Sequence, residues 1–433
     1  MSNDFKNKNG EDFFVNLESI STEVLQEKVQ DKSWIVIDTR LNDAYNGWKL
    51  DGVKRGGHIK GAVDFSANWL SVYSDKKDKV LEQALRTKGI DLNKNIVLYD
   101  ANGKDALLVA DYLFKKGYKY LYKYDIKQWA ENENLPMERY KNYQMIVPAS
   151  IIKKILDGGI PETFENSKNI KMIEASWGEE KESYAKGHIP TSIHINTDII
   201  EPPPTWMLDN DDNLTQFALD YGFTKDDTVI VSSSTTMASY RLAVILRYIG
   251  VKDVRVLNGG IDSWISAGYE LEFTSNSRHS RTNFGANIPV NPQLIVTTTE
   301  LKQKLKEKNK CALIDIRTWD EHIGKVSGYT YYDKKGRVPG ALYGHSGSDS
   351  VSLEEYRNID NTMRNKYEIL EMWNEESIDV NKQLIFMCGS GWRAAEVLTY
   401  ANVIGVEETS LYSDGWMGWS LDNSNLIEVG EHK

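Results

Sequence analysis

The sequence predicts an α/β protein made of three tandem copies of one unit, each with a mainly parallel central sheet flanked by helices. Short apolar strands alternate with helical segments, which is typical of parallel sheets with crossover helices. The same series of strand ends, turns and tryptophans also occurs three times along the chain. A length of 433 residues independently favours several domains over one.

Each copy opens with a helix-start signal and continues with an apolar strand that ends in an acid. The helix starts are Ser21-Thr-Glu, Pro148-Ala-Ser and Thr298-Thr-Glu. The strands end at Asp38, Glu174 and Asp315. A turn and a small-residue step then begin at Gly57, Gly187 and Gly336. This fixed order indicates that the three copies share one topology.

The second half of each copy contains another strand, a helix that ends at glycine, and a tryptophan. The tryptophan follows the glycine by 14 residues in the last two copies and by 12 in the first. These pairs are Gly117 and Trp129, Gly250 and Trp264, and Gly405 and Trp419. We therefore predict domains at residues 15–142, 145–273 and 292–425. The polar stretch from Glu272 to Pro292 is expected to be an exposed linker.

The segment from Leu384 to Ala395 is the candidate catalytic element. It is expected to form an apolar strand, a glycine-containing loop that begins at Cys388, and a helix. Such a loop turns its backbone N–H groups inward at the positive end of the helix, which suits an anion or an anionic transition state. Together with Arg393, this field favours the thiolate form of Cys388, so we interpret this cysteine as a nucleophile.

The other two copies carry different residues at this position. Cys388 lies 17 residues before Gly405, and the same count gives Ser233 in the middle copy and Asp100 in the first. An unactivated serine or an acid is a poor replacement for a thiolate, and Asp100 would repel an anionic substrate. The sequence therefore predicts one active site, in the third copy, and two inactive domains.

In combination, these motifs resemble the rhodanese (sulfurtransferase) superfamily over nearly the whole chain. The motifs are the Asp-x-Arg strand end, the Gly-His-Ile-x-Gly-Ala turn, the Cys-Gly-Ser-Gly-Trp-Arg loop and the closing Gly-Trp-Met-Gly-Trp. Three domains with only the last cysteine intact are similar to bacterial thiosulfate sulfurtransferases of the three-domain type. The resemblance implies that Cys388 takes sulfur from a small anionic donor as a persulfide. It then passes the sulfur to cyanide, a thiol or a protein.

The expected geometry of the loop indicates roles for the residues that follow the cysteine. Backbone N–H groups of the loop would hold the persulfide or the departing sulfite, and Trp392 would shape the mouth of the pocket. Arg393 would stabilise sulfite or brace the loop onto an acid such as Asp315. The expected substrate-binding residues are Gly389, Ser390, Gly391, Trp392 and Arg393.

Three alternatives stay open at this point. Cysteine phosphatases and arsenate reductases use five residues between cysteine and arginine, whereas four separate Cys388 from Arg393, which favours sulfur over phosphate. The Gly-Ser-Gly run resembles 3-mercaptopyruvate sulfurtransferases, but an arginine favours a dianion, so thiosulfate is the preferred donor. The chain could also be a persulfide carrier or scaffold with little turnover of small donors.

Composition narrows the classes of partner. The formal net charge of −11 argues against nucleic acid. No apolar run reaches the length of a membrane span, and the polar N-terminus lacks a signal-peptide core. Two cysteines and seven scattered histidines show no metal-ligand spacing. We therefore expect a cytoplasmic protein with no metal, cofactor or membrane partner.

Weaker candidates complete the predicted site. Arg337 replaces the histidine found in the first two turns, which are expected to be braced by His58 and His188. An insertion in the third copy supplies His345, Ser348 and Asp349 as possible cleft residues. Cys311 is expected to be a small buried or edge residue, and the repeated tryptophans are expected to pack in the core or against loops. Residues 201–206, rich in proline, are expected to form a stiff linker.

Overall fold

The structure, a computed structural model, describes residues 17–165, 170–307 and 309–431. The chain divides into two compact units. The first ends at Tyr143 and also includes Asn358–Asp360, and the second comprises the rest, so that it holds both the middle and the third copies. Across the described ranges, no helix combines the length and the apolar character that crossing a membrane requires.

The described residues of the first copy, from position 17 on, form seven strands and five α-helices. The strands are β1 (Glu18–Ser19), β2 (Trp34–Asp38), β3 (His58–Ile59), β4 (Val63–Asp64), β5 (Asn95–Asp100), β6 (Leu121–Asp125) and β7 (Met137–Glu138). The helices are α1 (Thr22–Lys28), α2 (Asn42–Asn46), α3 (Lys77–Thr87), α4 (Asp105–Lys115) and α5 (Ile126–Glu131). Strands β3 and β7 form a separate antiparallel pair.

The described residues of the middle copy form five strands and four α-helices. The strands are β8 (Ile146–Val147), β9 (Ile170–Ser176), β10 (Ile193–Asn196), β11 (Thr228–Ser232) and β12 (Asp253–Leu257). The helices are α6 (Ala149–Leu156), α7 (Asp211–Asp220), α8 (Thr236–Ile249) and α9 (Ile261–Ser266).

The third copy has five strands and five α-helices in its described part. The strands are β13 (Ile295–Val296), β14 (Cys311–Asp315), β15 (Leu342–Tyr343), β16 (Gln383–Met387) and β17 (Thr409–Tyr412). The helices are α10 (Thr298–Lys304), α11 (Trp319–His322), α12 (Lys366–Glu375), α13 (Trp392–Ile404) and α14 (Gly415–Leu421). Helix α10 begins with a capping box between Thr297 and Glu300, one residue earlier than predicted.

All three five-stranded sheets are parallel and have the same strand order. The orders are β1-β6-β5-β2-β4, β8-β12-β11-β9-β10 and β13-β17-β16-β14-β15. Counted within each sheet, the first strand is followed by the fifth, fourth, second and third. The predicted fold class is therefore confirmed, and the carboxyl end of the fourth strand lies at the centre of the sheet edge where sites form.

Two helices are buried almost all round because they pack against each other within the second unit. Twelve of the fourteen residues of α8 and eleven of the thirteen of α13 are buried. At their interface the rings of Tyr240 and Tyr400 lie 5.3 Å apart at their centroids. This contact joins the middle and third copies through the helices that follow their fourth strands.

The predicted linker after the middle copy is mostly exposed, but it is held against that copy. The N–H of Arg281 donates to the carbonyl oxygen of Leu219 at 2.8 Å. The carbonyl oxygen of Phe284 accepts the N–H of Lys225 at 2.9 Å, and the Phe284 side chain is buried. The segment therefore runs along the surface of the middle copy.

Candidate active site

Cys388 directly follows β16, and α13 begins four residues later at Trp392. Its side chain is 1% exposed, and the N–H of Gly391 donates to its Sγ atom at 3.2 Å. Gly391 has φ +99, a backbone conformation that is energetically unfavourable for a residue with a side chain. The sulfur therefore lies at the N-terminal end of a long helix, in contact with an inward-facing N–H group.

The carbonyl groups of the loop are turned away from the sulfur and are held by α14. The N–H of Trp416 donates to the oxygen of Cys388 at 2.8 Å, and the N–H of Met417 donates to that of Gly389 at 3.1 Å. A Cβ atom built on Gly415 would lie 2.6 Å from both oxygens. The glycine of the closing Gly-Trp-Met-Gly-Trp motif thus lets α14 approach the loop closely.

Arg393 is braced by a buried acid. Its Nη1 and Nη2 atoms donate to the two carboxylate oxygens of Glu321 at 2.9 and 3.0 Å. Nη1 also lies 3.3 Å from the Ser346 hydroxyl, and Nη2 lies 3.2 Å from the hydroxyl of Tyr329. Burial alone would lower the pKa of Arg393, but Tyr329 and Glu321 hold it well above its ordinary value. The guanidinium is therefore a fixed positive charge beside the loop.

Asp315, the acid that the sequence suggested as a brace for Arg393, has other partners. It accepts hydrogen bonds from Nε and Nη2 of Arg317 at 2.8 Å and lies 2.9 Å from Nδ1 of His322. Arg317 also donates to the carbonyl oxygen of Gly336. Burial raises the pKa of Asp315, but the Arg317 guanidinium and the hydrogen bonds from Arg317 and His322 outweigh it and hold the pKa well below its usual range. The Asp-x-Arg motif thus ties the strand end to the following turn.

An aromatic group that the sequence analysis missed covers the loop. A Cβ atom built on Gly389 would lie 1.8 Å from the Tyr329 hydroxyl oxygen. The Tyr331 ring lies 5.3 Å from that of Tyr329 and 5.2 Å from that of Trp206 in the middle copy. Burial raises the pKa of Tyr329 well above its ordinary value, which keeps the phenol protonated. The Tyr329-Thr-Tyr-Tyr run was the available signal in the sequence.

Trp392 is held by the middle copy. Its Nε1 donates to Glu201 Oε2 at 2.9 Å, and the Glu201 carboxylate is buried against Arg241. The prediction of a stiff linker over residues 201–206 was therefore incomplete. A carboxylate 1% exposed and paired with a buried arginine is part of the site's surroundings rather than part of a spacer.

The insertion in the third copy reaches the site through a residue other than those predicted. Ser346, which contacts Arg393, was not among the candidates. His345 lies 3.0 Å from Glu376 and 3.4 Å from Glu355. Burial lowers the pKa of His345, but these two acids outweigh it and raise the pKa. His345 is thus engaged in a charged cluster.

The remaining predicted site residues are Ser348, Asp349 and Ser390. Ser348 Oγ donates to Glu354 at 2.6 Å, and Asp349 accepts the N–H of Val351 at 2.9 Å. Ser348 and Asp349 line, together with Glu321, a cavity of about 440 Å³. Ser390 is half-buried and makes no hydrogen bond through its hydroxyl within the described ranges.

Arg337 is buried against the C-terminal segment. It donates from Nη1 to the carbonyl oxygens of Gly430 at 2.6 Å and His322 at 3.3 Å. Its backbone pairs with that of Glu428. These contacts give it an anchoring role in the turn.

Sheet register places the three aligned positions together. Asp315 lies beside Met387, so Cys388 is the residue directly after the neighbouring strand. Asp38 lies beside Tyr99 in the first copy, which puts Asp100 at the equivalent position. In the middle copy Glu174 lies beside Ser232, which puts Ser233 there. The alignment read from spacing therefore agrees with the geometry.

Acids from the strands accept N–H groups of the corresponding loops in the first two copies. Asp100 accepts the N–H groups of Gly103 and Ala106 at 3.2 and 3.0 Å. In the middle copy the N–H of Ser234 donates to the buried carboxyl of Glu174. Each loop thus uses N–H groups for a side chain of its own copy.

His58 and His188 bond through Nδ1 to the carbonyl oxygens of Tyr45 and Tyr184, which confirms the bracing prediction. Cys311 is 7% exposed, and burial raises the pKa of its thiol. The repeated tryptophans are buried, namely Trp129, Trp264, Trp416 and Trp419. Within the described ranges, no group of three metal-ligating side chains is placed to hold an ion.

Comparison with known proteins identifies the family to which this fold and this loop belong. Residues 21–132, 164–267 and 297–422 each match the rhodanese-like domain family. The chain therefore belongs to the rhodanese-like family, with three copies of the domain.

Individual proteins are also similar to this chain over nearly its whole length. The thiosulfate sulfurtransferase YnjE of Escherichia coli K12 is 34% identical over 406 residues, covering 94% of this chain and 91% of YnjE. A structure of EanB with a cysteine persulfide, in a tetrahedral intermediate state with ergothioneine, has a TM-score of 0.90 and 33% identity. It covers 96% of this chain and 100% of its own.

A further solved structure is similar to the same extent. The anaerobic ergothioneine biosynthesis enzyme of Chlorobium limicola, in complex with its natural substrate trimethyl histidine, has a TM-score of 0.90 and 32% identity, over 96% of this chain and 100% of its own. This chain is accordingly an enzyme of the sulfurtransferase class that works through a cysteine persulfide.

Proposed function

We propose that the chain transfers sulfane sulfur from a small anionic donor, with thiosulfate as the preferred one, through a persulfide on Cys388. The acceptor is cyanide, a thiol or a protein. The observation that carries this proposal is the position of Sγ, which is nearly buried and accepts an N–H group at the start of α13. The carbonyl groups of Cys388 and Gly389 bond to N–H groups of α14 instead, which leaves the N–H of Gly391 as a donor to the sulfur.

The reaction has two displacement steps. The Cys388 thiolate attacks the outer sulfur of thiosulfate, a new sulfur–sulfur bond forms, and sulfite leaves with the electron pair of the bond that breaks. The acceptor then attacks the terminal sulfur of the persulfide, and the Cys388 thiolate leaves. With cyanide the product is thiocyanate. Backbone N–H groups from Gly389 to Arg393 hold the persulfide anion through charge-assisted hydrogen bonds.

Arg393 acts in this scheme as a brace that also contributes charge. Both of its Nη atoms are engaged with Glu321, Ser346 and Tyr329, and its Nε has no hydrogen-bond partner among the described residues. A bidentate pair with a buried carboxylate fixes the guanidinium and therefore the first turn of α13. Its positive charge beside the loop favours a dianionic donor, which supports thiosulfate over 3-mercaptopyruvate.

The first two copies are inactive in this proposal. Asp100 and Glu174 engage N–H groups of their own loops, and neither loop has a thiol. Their role is to support the third copy or a partner. A persulfide carrier with little turnover of small donors remains the alternative, and it differs from the enzyme in how fast the sulfur leaves Cys388.

Incubation with thiosulfate followed by intact mass tests the proposal. The wild-type chain should gain one sulfur atom, Cys388→Ser should gain none, and the control Cys311→Ser should behave as wild type. Added sulfur that survives in Cys388→Ser would contradict the role of this cysteine. Thiocyanate release is then compared for thiosulfate and 3-mercaptopyruvate. A persulfide that forms but turns over slowly with cyanide or thiols would favour the carrier.

A second acceptor is favoured by the aromatic side chains beside the loop. Tyr329, Tyr331 and Trp206 lie together at the loop, and aromatic faces bind quaternary ammonium groups. Structures of the EanB relative contain hercynine or ergothioneine. We propose trimethyl histidine, the natural substrate of the Chlorobium limicola enzyme, as a candidate acceptor. Its imidazole carbon forms a bond to the terminal persulfide sulfur, the sulfur–sulfur bond breaks with its electron pair going to the Cys388 thiolate, and the proton from that carbon passes to solvent.

Mass spectrometry of the small-molecule fraction tests this acceptor. Persulfurated chain is mixed with trimethyl histidine, and the product should gain one sulfur atom. Tyr331→Ala should lower this yield while leaving thiocyanate release with cyanide intact, since cyanide needs no aromatic contact. Release of sulfur to cyanide with no sulfur in trimethyl histidine would exclude the second acceptor.

A further inference from the structure

We infer that Arg241 and Glu201 of the middle copy are positioning residues for the sulfur-transfer loop of the third copy. The inference rests on the proposed role of Cys388, which lies at the start of that loop. It gives the middle copy, which has no thiol of its own, a direct part in the reaction.

Arg241 lies in α8 and is completely buried. Its Nε donates to Glu201 Oε1 at 2.7 Å, and its Nη2 donates to the hydroxyl of Ser413 at 2.7 Å. Ser413 lies between β17 and α14, the helix whose N–H groups hold the loop carbonyls. One guanidinium therefore connects the middle copy to the segment that supports the loop.

The same guanidinium also faces the loop itself. A Cβ atom built on Gly391 would lie 2.7 Å from Nη1 of Arg241. This Nη1 is buried and has no hydrogen-bond partner among the described residues. Since Gly391 supplies the N–H group that contacts Sγ, Arg241 lies directly behind the donor. A side chain at position 391 would displace either the Arg241 guanidinium or the N–H group of residue 391.

Glu201 completes the arrangement at the next residue. Its Oε2 accepts the indole N–H of Trp392 at 2.9 Å, while its Oε1 accepts from Arg241. The pair thus contacts the last loop residue, Gly391, and the first helical residue, Trp392. Holding these two residues fixes where the N–H groups of α13 point relative to the sulfur.

A purely structural role accounts poorly for a buried ion pair at this place. Two buried charges lose their hydration, and an apolar pair of similar volume is often as stable or more so. The rest of the α8–α13 contact includes the apolar faces of Tyr240 and Tyr400. A positive charge behind the loop, in contrast, adds to the field that stabilises a thiolate or persulfide anion.

The test compares two arginines of α8. Arg241→Met removes the charge behind the loop, and Arg247→Met is the matched control. Arg247 Nη2 donates to Asn402 at 2.9 Å, so it also bridges the two copies, but at the far end of α13. The measurements are kcat and KM for thiocyanate release, the rate of persulfide formation, and the pH dependence of Cys388 alkylation.

Arg241→Met should lower kcat about tenfold, which is less than the roughly hundredfold to thousandfold loss for a donor that contacts the reacting group directly, with a smaller change in KM. The pH of half-maximal alkylation of Cys388 should rise. Arg393, Tyr329 and Tyr331 interact electrostatically with this thiol, and Glu201 and Glu321 contact the neighbouring Trp392 and Arg393. The single variant leaves all five in place. Arg247→Met should leave both measures close to wild type.

A double variant separates positioning from folding. Arg241→Met with Glu201→Leu removes both charges, so no buried acid is left unpaired, and it should still show the raised alkylation pH. Equal kinetics and equal alkylation profiles for Arg241→Met and Arg247→Met would overturn the inference. A wild-type chain that forms no persulfide would instead overturn the proposed function, so the two failures are distinguishable.

Discussion

At the scale of single residues, Glu174 shows what one missing partner does. It occupies the strand-end position of Asp38 and Asp315, but Ser176 replaces the arginine that pairs with each of those acids. The carboxyl is 2% exposed, and its Oε2 has no hydrogen-bond partner among the described residues. Burial raises the pKa of Glu174 to about 8, and the N–H of Ser234 only partly opposes it.

This residue predicts a pH dependence of stability. Because the folded pKa of about 8 lies above the ordinary 4.5, the native state binds this proton more tightly than the unfolded state does. The free energy of unfolding therefore falls as pH rises through that window. Glu174→Gln should remove this contribution. The variant should then be more stable than wild type, by on the order of a few kcal/mol, above the folded pKa.

Urea unfolding on both sides of the window measures the effect. The exposed Glu133→Gln serves as the control, and its unfolding free energy should follow wild type at every pH. A wild-type pH slope that persists unchanged in Glu174→Gln would show that another group carries it.

Also at the residue scale, Arg393 pairs with a different acid from the one that the sequence suggested. The sequence suggested Asp315 because this acid stands at the strand end in the Asp-x-Arg motif. Arg317 and His322 already occupy its two oxygens, so Glu321 pairs with Arg393 instead. Glu321 also accepts the N–H of Thr318 at 3.0 Å in the capping box of α11. A capping acid thus serves both a helix start and the site.

At the scale of elements, the loop depends on two helix starts that meet. Helix α13 presents N–H groups to the sulfur, and α14 takes the carbonyl groups of Cys388 and Gly389. Without α14 these carbonyls could rotate toward the sulfur, where a negative charge would be repelled. The orientation of the loop is therefore a property of the pair of helices.

Gly415→Ala tests this pairing. The added Cβ would lie 2.6 Å from two carbonyl oxygens, so α14 must move away from the loop. The rate of persulfide formation should fall by about tenfold to a hundredfold, since small displacements of catalytic groups have effects of this size. Intact-mass measurements on samples quenched at successive times after mixing with thiosulfate would give the rate of persulfide formation.

A second glycine provides the control for backbone strain. Gly340→Ala also places a side chain at positive φ, but no atom lies within 4 Å of the new Cβ. It should lower the melting temperature without slowing sulfur transfer to the same degree. Equal slowing by both variants would mean that strain, and not contact with the loop, limits the rate.

At the scale of the whole molecule, the contacts of the loop lie within the second compact unit. The residues that hold it come from the middle copy, through Glu201 and Arg241, and from the third copy, through Glu321 and α14. The α8–α13 interface joins these two copies by burying one helix of each. The working unit is thus larger than the domain that carries the thiol.

Truncation tests this view. A fragment that begins at Gln144 should form the persulfide at a rate similar to the full chain, because it keeps both copies. A fragment that begins at Val290 should lose the contact with Glu201 and expose one face of α13. Its Cys388 should then react faster with a bulky maleimide, and its persulfide should form more slowly. Loss of persulfide formation in the longer fragment would show that the first copy also contributes.

The sequence by itself determined the repeat, the parallel sheets and the strand–loop–helix unit around Cys388. These features depend on neighbouring residues: glycine allows the turn, the helix orients its own first N–H groups, and periodic apolar residues bury the strands. The single thiol among three equivalent positions could be read from spacing alone, and the sheet register agrees.

Only the tertiary structure decided which side chains surround the loop. Glu201 and Trp392 are 191 residues apart, and Arg241 and Ser413 are 172 apart, so no local pattern connects them. Their contact follows from the packing of α8 on α13. Tyr329 and Glu321 likewise meet Arg393 because the chain before β15 folds back over the helix start. Local chemistry thus located the nucleophile, and long-range packing set the field in which it works.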